Sequence, residues 1–137
     1  MAGFSDYTEK KVLDLIFNAD SFAIPGLYLA LFKSDAGLET NQIASADEVN
    51  DSASSYARID INTLGGFNSA SAGSVSNAQD MEFPIAQADW GTITHTAILD
   101  AQTGGNVLVW GPLLNPRTIY NGDSVKVPAG ALVATLS

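Results

Sequence analysis

Apolar positions follow a helical period convincingly at the start of the chain. Val12, Leu13, Ile16 and Phe17 fall on adjacent turns opposite Glu9, Lys10 and Asp14, which predicts an amphipathic helix over residues 6–18, with Asp6 as cap and Glu9 three residues on. A helix of about three turns is marginal alone. Its apolar face must therefore rest on this domain or on a neighbouring subunit.

After Pro25-Gly26 the period changes. Leu27-Tyr28-Leu29-Ala30-Leu31-Phe32-Lys33 is apolar at odd and even positions alike, the pattern of a strand covered on both faces. Residues 34–55 then turn polar and acidic and hold no period, so a long surface loop is expected there; loops this long tend to be functional or mobile.

From residue 56 onward, short strands alternate with turn signals. Tyr56, Arg58, Asp60 and Asn62 share one face of the first, against Ala57, Ile59 and Ile61, until Gly65-Gly66 breaks it. Residues 69–76 read as loop, and 78–83 as a strand stopped by Pro84. Strands over 91–100 and 106–113 are joined through Thr103-Gly104-Gly105, and strands over 117–120 and 123–127 flank Asn121-Gly122, a type I′ hairpin signal. Pro128-Ala129-Gly130 leads into a last strand, 131–136. About eight strands at even spacing predict an all-β fold: a jelly-roll-like antiparallel β-sandwich over 27–136 with one N-terminal α-helix, in a single domain spanning 1–137.

Composition narrows the function classes. Among 137 residues, 15 Asp and Glu against 6 Lys and Arg give a charge of −9, and the absence of cysteine excludes thiolate catalysis, a cysteine-ligated metal and disulfides. The bases, Lys10, Lys11, Lys33, Arg58, Arg117 and Lys126, are scattered, so no nucleic acid is expected as a partner. No apolar run approaches the ~20 residues of a bilayer span, and the opening segment lacks the basic and apolar regions of a signal peptide, so no membrane association is expected either.

Candidate chemistry is sparse. His95, the sole histidine, stands in Thr92-Ile93-Thr94-His95-Thr96, where alternation places it with Ile93; no nucleophile motif accompanies it, and a satisfied structural or interface role is expected. Asp35, Asp89, Asp100 and Asp123 fall at strand ends and turns, which suits turn hydrogen bonding better than a paired-carboxylate hydrolase. Asp47, Glu48, Asn50 and Asp51 offer calcium-type oxygens without the ligand spacing or central glycine of an EF-hand. Gly65-Gly66 and Gly104-Gly105 lie between strands, not at a strand-to-helix phosphate loop. Trp90 and Trp110 each precede glycine and could anchor a sugar or protein, although strand aromatics more often fill a core. No catalytic, cofactor-binding or metal residue is assigned, and the chain is expected not to be an enzyme.

Several segments together resemble a family of small virion structural proteins of tailed bacteriophages, often labelled tail fibre proteins. They are Gly3-Phe4-Ser5-Asp6-Tyr7-Thr8-Glu9-Lys10-Lys11-Val12, Leu27 to Phe32, Tyr56-Ala57-Arg58, Asp89-Trp90-Gly91-Thr92-Ile93-Thr94-His95, Ile98 to Gly111, Gly122-Asp123 and Pro128-Ala129-Gly130-Ala131-Leu132. The resemblance implies a particle component made in the host cytoplasm and carries over no catalytic residue. The expectation built on it is a capsid decoration or cement protein on the outside of the head, bound to the major capsid protein and to itself as a trimer. Phe4, Tyr7 and Phe22 near the helix, and Asp47, Glu48 and Asp51 in the acidic loop, are the expected docking residues. The alternative is a tail-associated fibre or adhesin module that binds a host surface receptor.

Overall fold

The computed structural model describes residues 3–49 and 55–136, so Asn50 and Asp51 of the acidic cluster lie outside the described residues. Strand β1 (Gly3–Phe4) runs directly into helix α1 (Asp6–Phe17). The helix is capped by Ser5 and not by Asp6, which is itself the first helical residue. Ser5 is buried; its hydroxyl accepts from the Thr8 amide at 3.3 Å and donates to the Val107 carbonyl, so one side chain both caps the helix and ties it to the sheet. Asn18 ends the helix, its amide donating to the Asp14 carbonyl at 3.0 Å, and Ala19 follows at a φ of 51°.

Seven further strands precede the last one, β9 (Val133–Thr135): β2 (Tyr28–Phe32), β3 (Ile59–Asp60), β4 (Ser74–Ser76), β5 (Met81–Glu82), β6 (Gly91–Leu99), β7 (Val107–Ile119) and β8 (Lys126–Val127). Every pairing is antiparallel. The main sheet has the order β1-β7-β6-β2-β3, and two ribbons, β4-β9 and β5-β8, stand apart from it. The fold is thus an all-β sandwich with one N-terminal helix, as the pattern of short strands predicts.

β2 explains why its sequence is apolar on both sides. Leu29 and Leu31 join Ile59, Ile93, Ile98, Met81 and Leu132 in a core between the sheet and the ribbons. Ala30 and Phe32 point the other way, into a second core with Ala97, Leu99, Val107 and Leu38. Leu38 is buried, and with Ile43 it makes the described part of the long 34–55 segment a covering layer on the sheet's back face. That segment is a loop in its backbone but part of the core in its packing.

β7 is one 13-residue strand where two were expected. Pro116 falls in the gap between the two expected strands, yet β1 pairs only with Val109 and Trp110, so beyond them β7 is an edge, where Pro112 and Pro116 are both tolerated. The register against β6 jumps there: His95 pairs with Pro112 and Ile93 with Arg117, leaving residues 113–116 opposite Thr94 alone. Leu114, at the crest of this bulge, is 96% exposed.

The hairpin expected at Asn121-Gly122 does not form. A turn is present, closed by the Asp123 amide donating to the Tyr120 carbonyl at 2.9 Å, but only Gly122 takes positive φ, and a type I′ hairpin needs it at both central residues. The chain therefore leaves β7 and pairs through β8 with β5. The 69–76 stretch, expected as loop, contributes β4 to the ribbon with β9.

Candidate functional site

Two surfaces differ sharply in chemistry. The first is an apolar groove of about 520 Å³ between α1 and the β4-β9 ribbon, floored by Ile98 and Leu108. Its wall on the helix side is Phe4, Val12, Phe22 and Ile24; across it stand Val75 and Leu136. The Tyr7 and Phe22 rings meet edge to face at 6.2 Å, which ties the segment after the helix to the helix as the groove's rim, and within the helix the Lys11 amine lies 5.8 Å from the centre of the Tyr7 ring. Phe4, Tyr7 and Phe22, singled out from sequence as docking residues, are thus brought together.

Helix α1 buries very little. Thr8 is its buried residue and Val12 is half-buried, while Leu13, Ile16 and Phe17 are 55%, 65% and 75% exposed. The helix's second half carries its apolar stripe past the body of the domain.

The second surface is a polar cleft of about 910 Å³ bordered by Lys33, Ser45, Glu48, Arg58, Gln102 and Thr103. At its floor Arg58 is 6% exposed and makes a two-pronged pair with Glu48: Nε to Oε2 at 2.8 Å and Nη2 to Oε1 at 2.7 Å. Its Nη1 donates to the carbonyls of Ala101 and Gly104, both at 2.8 Å, so the β6-β7 turn is pinned to the same group. Tyr56 donates to Glu48 Oε2 at 2.8 Å and accepts from the Leu31 amide at 3.1 Å. Burial and then the Glu48 charge push the Tyr56 phenol well above its ordinary value, so it remains a donor. Burial pulls Arg58 down, but the hydrogen bond and charge of Glu48 outweigh it, and the guanidinium is held above its usual value.

Glu48 is therefore a structural anion, with both oxygens committed to protein donors, and not a free calcium ligand in a solvated loop. Asp47 offers its backbone carbonyl to the Lys33 amide at 2.7 Å and stands apart from the helix-side groove. The expected docking residues thus divide between two surfaces. A cluster the sequence reading missed, Asp6, Glu9 and Glu39, brings exposed carboxylate oxygens within 4.8 Å of one another, the arrangement among the described residues that could approach a cation. One Glu39 oxygen already accepts from Trp110 Nε1 at 2.7 Å.

The aromatic anchors resolve differently. Trp90 is 3% exposed, edge-on to Tyr56 at 5.4 Å and to Phe83 at 6.4 Å, so it is core and not an exposed receptor contact. Trp110 is half-buried on the sheet's back, 6.1 Å from the His95 ring. The register shift opposite the β7 bulge explains that neighbour: alternation is broken between Ile93 and His95, so Ile93 faces the ribbon side while His95 turns toward Trp110, not with Ile93 as a regular strand would place it. Thr94 Oγ1 lies 2.8 Å from His95 Nδ1 and satisfies it.

The chain is thus an antiparallel sandwich with one N-terminal helix, an apolar groove beside that helix and a polar cleft over a locked ion pair. The chain matches the family model described as podophage GP4 fiber I protein gp80 from residue 3 to residue 135, and so belongs to that phage fibre family. It is a structural protein of a phage virion. No curated protein sequence matches it significantly.

Proposed function

We propose that the protein is a tail-associated fibre module that contributes to contact with the host surface. The observation that carries this reading is the extent of the family match, residues 3–135, to a protein described as a fibre component. The polar cleft supports it physically. Lys33, Ser45, Gln102 and Thr103 border it above a buried ion pair that cannot reorganise cheaply, the combination of polar rim and rigid floor that suits a hydroxyl-rich ligand such as a surface glycan. On this reading the chain works by binding and catalyses nothing.

The test is quantitative mass spectrometry of purified virions, intact and after heads and tails are separated, together with binding of the pure protein to host cells. A few copies per particle travelling with tails, and cell binding weakened by Lys33→Glu with Thr103→Ala, are the expected results. Hundreds of copies retained on heads would overturn the fibre reading in favour of the second one, a decoration protein on the major capsid protein. One feature favours that second reading: no shaft-like repeat occurs within the 137 residues, whereas a compact domain with an overhanging apolar helix is built to dock on a preformed surface.

A further inference from the structure

We infer that the apolar groove is a socket for helix α1 of a second copy of this chain, with Leu13, Ile16 and Phe17 as the inserted side chains. These three stand at i, i+3 and i+4, one stripe on one face, which is how an amphipathic helix presents anchors to a groove. All are more than half exposed. The groove's 520 Å³ is several times the roughly 150 Å³ that an enclosed site needs for one benzene-sized group, so it has room for more than one side chain of the stripe.

Area points the same way. Leu13, Leu15, Ile16, Phe17, Ile24 and Leu136 together expose on the order of 600 Å² of mostly apolar surface, the top of the range for the largest patch of a monomer and most of the roughly 800 Å² per partner that a stable interface buries. Charge does not oppose insertion. In a chain of −9, no ionisable side chain among the described residues lines the groove, and on the helix Lys10 and Asp14 neutralise one another at 2.6 Å.

A second copy is the occupant because plug and socket are both on this chain, side by side. The helix leads directly into the segment that forms the socket's rim, so one rotation axis satisfies two junctions in a dimer, or closes a ring if the junctions run head to tail. A different partner would have to bring a matching apolar stripe and would leave this one uncovered. The association is independent of where in the virion the chain resides, since it is read in pure protein.

Sedimentation equilibrium of the full chain from micromolar to millimolar concentration tests it. The wild type is expected to rise above the 14.3 kDa of one chain. Phe17→Asp should weaken self-association by roughly 30-fold, the scale of a central hot spot, and Ala70→Trp, which fills the socket from an exposed wall position, should do the same. Leu114→Asp, at a still more exposed position but on the β7 bulge, should leave association unchanged. Mixing the Phe17→Asp and Ala70→Trp chains should restore dimers, because one intact plug then meets one intact socket. A wild type that stays at the mass of one chain, a Phe17→Asp chain that associates normally, equal loss in Leu114→Asp, or a mixture that stays monomeric would each overturn the inference. Circular dichroism and melting of each variant separate loss of association from loss of fold; if Phe17→Asp melts early, Phe17→Ser takes its place with the same expectation.

Discussion

Arg58 and Phe17 occupy opposite extremes of how this fold handles a side chain. The guanidinium, a permanent charge, is buried and every one of its hydrogen-bonding nitrogens meets an oxygen of Glu48, Ala101 or Gly104. The phenyl ring, which water repels, is 75% exposed at the end of a helix. A buried charge persists only where its partners are complete, so the Arg58 hub is finished within one chain. An apolar stripe left in water is unfinished, and it marks where the chain expects company. Stability and assembly therefore reside on different surfaces, and substitutions should separate them.

The largest effect falls on the hub. Glu48→Ala leaves the Arg58 charge buried with only two carbonyls for partners, and should destabilise the fold by about 3–5 kcal/mol. Urea unfolding followed by circular dichroism reads this directly. A loss under 1 kcal/mol would mean that water reaches the guanidinium and that the hub is a surface pair.

Tyr56→Phe comes next. It removes one hydrogen bond to a carboxylate and one from the Leu31 amide, for a loss of about 2 kcal/mol at neutral pH. The phenol's folded value is raised above the ordinary 10.0, so its contribution is complete below that value and fades as pH rises above it, where the unfolded chain ionises and the folded one does not. Stability measured from pH 9 upward should thus fall by as much as ~1.4 kcal/mol per pH unit from this group, and the Phe variant should lack that share of the decline.

The hub also shows what the sequence displayed and what it withheld. The doubly covered β2 and the helical stripe were legible because each depends on neighbours two to four residues away, and alternation put Tyr56 and Arg58 on one side, where both reach Glu48. The strand expected over 56–62 is nevertheless reduced to Ile59–Asp60, because the chain turns into a 3-10 helix at Asn62–Leu64 and the segment before Ile59 is held by side-chain bonds and not by a ladder. That Arg58 points inward depends on Glu48 ten residues earlier and on the Ala101 and Gly104 carbonyls more than forty residues later, partners no local period reveals. The same holds for Ser5, whose hydroxyl reaches Val107, and for β7, where edge position lets the strand run through Pro116. Of the docking residues, Phe4, Tyr7 and Phe22 converge because the helix and its exit segment are contiguous in sequence, whereas Glu48, expected on an acidic surface loop, is tied down by Arg58 and Tyr56, partners that the local pattern does not pair with it. A signal was available: an acid before a Tyr-x-Arg pair in a chain with few bases is a candidate buried ion pair.

The smallest effect should come from the other extreme. Phe17→Ser removes a large ring, yet the ring is three-quarters in water, so little buried area is lost, and Phe and Ser have nearly equal helix propensities. At concentrations where the protein is a single chain, its unfolding free energy should therefore move by less than about 0.5 kcal/mol. At concentrations where copies associate, the wild type gains stability by mass action and the variant does not, so the difference between them should grow with protein concentration. Melting curves taken at two concentrations far apart read both quantities in one experiment. A difference that is large and independent of concentration would mean that Phe17 is packed within its own chain, and the division between a finished hub and an unfinished helix would fail.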